Sequence, residues 1–188
     1  MTDIAVQGFV DGPDHIVNTA LRSGFVAPLQ QSPLWGGMAV TASLPGPGMP
    51  ASLGCMLSLA TAAINLAGFT VFDESAALLR DDESCVPLAR AGTGTFAGGA
   101  INWVALGSRA QIWVQCSKSA ARSLEGSSIR PTVFWNYTKQ MLLTSPAISG
   151  DAPIAVAVLR VNSDGDARVV SPSGKYWDLS GYAALIEI

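Results

Sequence analysis

Histidine, paired carboxylates and cysteines are the side chains through which this chain could do chemistry, and none is spaced for it. His15 is the sole histidine and stands in the Gly/Pro-punctuated stretch MTDIAVQGFVDGPDHIV. A Ser/His/Asp relay needs a nucleophile held against its base, and no GxSxG elbow occurs to present one. Asp73 with Glu74, Asp81 with Asp82 and Glu83, and Asp164 with Asp166 are the carboxylate groupings. Two carboxylates divide acid and base work only where a pocket separates their pKa values, and these stand in turn-like contexts where Asp serves local backbone hydrogen bonding. Asp164-Gly165-Asp166 lacks the spacing and closing Glu of an EF-hand calcium loop. GTGTFAGG lacks the GK[ST] of a phosphate loop and the GxGxxG of a dinucleotide fold, and reads as a flexible loop. Cys55, Cys85 and Cys116 are tens of residues apart, without CxxC or Cys/His ligand spacing. The expectation is a chain that is not an enzyme, with no cofactor and no metal.

Composition bounds the remaining classes. Charged residues are 13% of the 188, against about 25% in an average soluble protein, while hydrophobic residues are 49%. A formal net charge of -3 with basic residues scattered singly argues against nucleic acid and anionic membranes, which reward clustered Lys and Arg. The N-terminus has Asp3 and no basic region before its apolar residues, so it does not read as a secretory signal. Cys55 to Val71 approaches the length of a membrane helix but contains Ser58, Thr61, Asn65 and Thr70. The expectation is a soluble chain of intracellular origin, with more apolar surface than a monomer needs.

The elements follow from Gly, Pro and alternation. Residues 1–22 read as an N-terminal arm in which Ile4, Val6, Phe9 and Val10 are apolar but broken by Gly8 and the Asp11-Gly12-Pro13 turn. Residues 23–188 read as one β-rich domain, with a division near residue 100 left open. GFVAPLQQSPLWGGMAV suits loops and edge strands; LPGPGMP suits an exposed loop. In RAQIWVQC, Ala110, Ile112, Val114 and Cys116 share one face and Arg109, Gln111, Trp113 and Gln115 the other, the alternation of a half-buried antiparallel strand. SKSAARSLEG predicts the one short helix, capped by Ser117 or Ser119 and ended by Gly126. PTVFWNYTKQMLLTS predicts a hairpin turning near Thr138-Lys139, and PIAVAVLRVNSDGDARVVS a second turning at Asn162-Ser163-Asp164-Gly165. YWDLSGYAALIEI closes the chain on a strand. The fold class expected is mainly β, an antiparallel barrel or sandwich-like domain with one short helix and long Pro/Gly loops.

Three features point to assembly. Trp113 lies on the polar side of its strand, where an indole is covered either by a loop or by another molecule. The apolar arm with Ile4, Val6, Phe9 and Val10, together with Trp35 and Trp113, forms the candidate interface set. Cys85, beside the solvated DDES run, is the candidate for a disulfide between subunits, although nearby carboxylates raise a thiol pKa and slow its oxidation. Asn136-Tyr137-Thr138 also matches a glycosylation sequon.

Four stretches in order, GFTVFDES, INWVALGSRAQIWV, PTVFWNYTKQMLL, and LRVNSDGDARVV followed by GYAALIEI, resemble structural proteins of tailed bacteriophage particles. More closely, they resemble the capsid cement (decoration) proteins. The resemblance spans residues 66–188 and more weakly SGFVAPLQQSPLWGGMAVTA. It implies a β protein on the outside of the virion capsid that clamps neighbouring major capsid protein subunits, commonly as a homotrimer. Another head or tail component would share this composition. A glycan- or ligand-binding β module, using Trp113 or Trp35 as a stacking platform, is the alternative of a different class.

Overall fold

A computed structural model describes residues 21–28, 30, 34, 36–48, 54–71, 77–79, 85–87, 99–170 and 177–188. Among these the protein is mainly β with one short α-helix, as its alternation and turn residues predict. Five strands close a barrel: β1 (Leu21–Val26), β2 (Ala39–Ser43), β3 (Cys55–Leu59), β4 (Gly68–Thr70) and β7 (Ala100–Ala105), in the order β1-β3-β2-β4-β7. The β1–β3 pair is parallel, with Gly24 opposite Cys55, and the other pairings are antiparallel. Closure leaves β1 and β2 no free edge, which corrects the edge-strand expectation drawn from their prolines. Pro28 falls after β1, in the connection, where its missing N–H costs no ladder bond. The exposed loop expected of LPGPGMP is present at 44–48, where Leu44 is 86% exposed.

Val26, Val40, Leu57, Ile101 and Trp103 come from four barrel strands and meet with Leu34 in a cluster that fills the interior. A barrel this small has room for side chains and little else. Ala39, Phe69 and Val104 alternate to the outside and join a second, larger core. That core is completed by β8 (Gln111–Gln115), α1 (Lys118–Leu124), β9 (Val133–Asn136), β10 (Met141–Leu143), β11 (Ala152–Ile154), β12 (Ala157–Val170) and β13 (Trp177–Glu187). The ring of Phe69 meets that of Trp135 edge-on, 5.0 Å between centroids, so the barrel wall and the second half share one core.

The strand–loop–strand expected around Leu106-Gly107-Ser108 is present, but its strands part company: β7 stays in the barrel and β8 edges the sheet β12-β13-β8. Ala110, Ile112, Val114 and Cys116 are buried in the larger core, as their alternation predicts. The helix is capped by the Oγ of Ser117, which accepts from the Ala120 N–H at 3.1 Å. It ends before Gly126, whose φ of +72° is the left-handed conformation a helix terminus favours. The β9–β10 hairpin turns through Tyr137 to Gln140, with Asn136 opposite Met141.

The second hairpin is not formed. β12 runs unbroken through Asn162-Ser163-Asp164-Gly165, and Ser163 to Asp166 stand opposite Tyr182 alone on β13. Gly165 has φ +78°, and the side chain of Asn162 donates to Asp166 Oδ1 at 3.0 Å across the base of this bulge. A Gly with positive φ serves a bulge as well as a hairpin turn, so the same residues were consistent with either. β13 lies between β12 and β8, which ties the C-terminal segment into a sheet centre. Ala77–Leu79 (β5) and Cys85–Pro87 (β6) pair antiparallel as a separate two-stranded sheet.

Candidate functional site

The interface set expected from the sequence divides by position. Ile4, Val6, Phe9, Val10 and Trp35 lie outside the described residues, as does His15. Leu21 and Arg22, taken with the arm, open strand β1 and pair with Val104 and Trp103. Cys85 opens β6, where the backbone alone is described.

Trp113 is 5% exposed and is covered by its own chain, which corrects its place in the interface set. Leu185 of β13 stands opposite both Trp113 of β8 and Arg160 of β12, so the three form one rung across the sheet. The indole packs with Ala167, Ala183 and Leu185, and the Arg160 guanidinium lies 5.9 Å from its ring centroid. An aliphatic stem and a cation on the π face suit a Trp whose flanking residues are polar. So enclosed, the ring offers no open platform for a sugar.

Of the remaining sequence candidates, Asp73, Glu74, Asp81, Asp82 and Glu83 lie outside the described residues. Asn136 of the sequon is buried, its side-chain oxygen accepting the Lys139 N–H at 2.7 Å within the hairpin turn. Among the described residues no group of three or more His, Cys, Asp or Glu side chains is arranged to hold a metal, and no helix is long and apolar enough to cross a membrane. Cys116 is buried in the larger core, and desolvation pushes its thiol up to about 12. Cys55 is half-buried, its Sγ 3.8 Å from the Ser23 carbonyl oxygen. Burial also raises the pKa of Tyr137, whose hydroxyl is enclosed without a hydrogen-bond partner.

Sequence reasoning did not single out Gln140. Its buried side-chain oxygen accepts from the Ala39 N–H of β2 at 2.8 Å and from Trp135 Nε1 at 3.3 Å, while its Nε2 donates to the Tyr137 carbonyl at 2.7 Å. One amide therefore joins the barrel to the β9–β10 hairpin. Its φ of +53° within a tight turn sets that direction. A Gln in a turn carries no such signal in sequence.

Among the described residues, the exposed large hydrophobic side chains are Leu21, Leu44, Ile64, Leu106, Ile129, Ile148 and Leu159. Ile64 is 92% exposed on the one-turn 3₁₀ helix Ala63–Asn65. Leu106, also exposed, lies beside the segment that follows it, through its N–H to the Ala67 carbonyl at 3.0 Å. Ile129 and Leu159 are exposed as a second group, joined by the Val158 N–H to the Ile129 carbonyl at 2.9 Å. Such residues expose apolar area that gains free energy only when another molecule covers it. No protein-family model, curated protein or solved structure matches this chain.

Proposed function

We propose that the protein is a virion structural protein, a capsid cement protein that binds the outside of a tailed-phage shell and bridges neighbouring major capsid protein subunits. The observation that carries this reading is where the four phage-like stretches fall. Each supplies elements to the larger core: GFT is β4, INWVA and QIWV are β7 and β8, VFWN and MLL are β9 and β10, and the last pair forms β12 and β13. The residues bearing the resemblance are thus those that make one folding unit rather than scattered matches. The low charge and the exposed Ile64, Leu106, Ile129 and Leu159 support a molecule that works by being covered. A homotrimer is the assembly this reading entails.

The experiment is addition of the purified chain to capsids assembled from the major capsid protein of the phage that carries it. Saturable, stoichiometric binding that raises the temperature of capsid disruption is expected. Capsids that neither bind the chain nor change in stability overturn the proposal. Mass spectrometry of intact particles separates a cement protein, present in tens to hundreds of copies, from a head-completion or tail component present in few.

A further inference from the structure

We propose that Arg22 and Trp103 form a carboxylate-binding site in the five-stranded barrel, an inference that stands apart from the capsid reading. The two residues face each other across the β1–β7 pair, in register, and Trp103 is in turn opposite Thr70 on β4. Trp103 is 4% exposed, yet its indole Nε1 has no hydrogen-bond partner. A buried N–H without an acceptor is costly, and native structures rarely keep one without a reason. Thr70 does not serve it, because its hydroxyl is engaged with the Met38 backbone at 3.0 and 3.3 Å.

The second observation is the cation laid against the same ring. The Arg22 guanidinium carbon lies 5.6 Å from the Trp103 ring centroid, and Arg22 forms no ion pair among the described residues. Stacking on the indole sets the planar fork beside the ring, with no ion-pair partner for its N–H groups among the described residues. A donor that lacks an acceptor and a cation that lacks a counter-charge thus share one ring.

That pair selects its ligand. One positive charge balances one negative charge, and a carboxylate carries two acceptor oxygens that can bond a guanidinium and a second donor together. Arg22 is exposed while the indole N–H is enclosed, so the guanidinium is the end of the site that meets solvent. Among the described residues, the other enclosed polar atoms without partners, Tyr137 Oη, Asp151 Oδ1 and Asn162 Oδ1, have no cation–π contact beside them.

The test follows the Trp103 indole N–H in the full-length protein labelled with nitrogen-15 at tryptophan, the resonance being assigned by its loss in Trp103→Phe. Sodium acetate is titrated against sodium chloride at constant ionic strength, and protein concentration is raised in a separate series. A saturable downfield movement with acetate alone, weakened at least tenfold in Arg22→Met, is the expected result for a small carboxylate. Movement with protein concentration that acetate reverses supports the site with a second copy's side chain as the source. A resonance that answers acetate and chloride alike, or answers neither acetate nor concentration, overturns the proposal. So does an Arg22→Met variant that titrates as the native protein does. Arg22 is exposed, so this variant keeps its fold and its reading is clean.

Discussion

Gln140 shows how a single uncharged side chain can hold two layers in place. Removing its amide leaves the Ala39 N–H and Trp135 Nε1 buried without an acceptor, and each unmet donor costs about 1–3 kcal/mol. Gln140→Ala is therefore expected to lower the unfolding free energy by about 2–4 kcal/mol, read from urea denaturation. A loss under about 0.5 kcal/mol, the range of an ordinary surface substitution, would sink this assignment. Cys116 makes a second prediction at this scale. Its folded-state pKa is raised to about 12 from 9.0, so above the unfolded value the unfolded chain releases a proton that the folded chain retains. The stabilising contribution is complete below pH 9 and is lost as pH rises towards 12. Cys116→Ala should flatten the fall in stability over that window. A thiol reagent at pH 8 should label Cys55 in the folded protein and reach Cys116 only after unfolding. Equal native labelling rates would refute the difference in their surroundings.

Among the elements, β4 is the most constrained. Its Gly68 packs so closely on β7 that an added Cβ would sit 2.0 Å from the Val104 carbonyl oxygen, a backbone atom that cannot step aside. Gly68→Ala is expected to cost about 3 kcal/mol or more, at the upper end for overpacking, with loss of the barrel's cooperative unfolding. Gly165 differs in kind. A Cβ there would meet the end of the Tyr182 side chain at 2.9 Å, which can move, so the left-handed φ of +78° dominates. Gly165→Ala is expected to cost about 1–2 kcal/mol and to leave the fold intact. Parallel urea melts rank the two, and a Gly165→Ala variant as damaged as Gly68→Ala would contradict this account of the bulge.

For the whole molecule, the boundary of the arm becomes a measurable quantity. Leu21 and Arg22 pair with Val104 and Trp103 at the start of the barrel. Deletion through residue 20 should preserve the unfolding midpoint of the β domain while weakening particle binding. Deletion through Arg22 should also lower that midpoint, because two rungs of β1 are lost. Identical midpoints for the two truncations would show that these rungs hold nothing together. Self-association belongs to the same scale. Light scattering is expected to give a homotrimer, and a stable monomer at high micromolar concentration would count against the assembly proposed above.

The local grammar of the chain was legible without coordinates. Alternation placed Ala110, Ile112, Val114 and Cys116 on a buried face. Ser117 and Gly126 bounded the only α-helix among the described residues, and Thr138-Lys139 marked a true turn. These features depend on neighbours a few residues apart, where sterics and capping act directly. What lay beyond reach depends on residues distant in sequence. Trp113 is covered because β12 brings Arg160 and Ala167 to it, and Gln140 matters because its oxygen reaches Ala39 in the barrel. The Asn162–Gly165 segment is a bulge rather than a turn because β13 continues beside it past Tyr182. Trp103 and Arg22 meet only when β1 and β7 close the barrel. Period and punctuation in the sequence determined which segments are strands and which faces are apolar. Partner choice, closure and the cover over each aromatic ring were decided by tertiary structure, because they are set by the packing of surfaces that local sequence does not bring together.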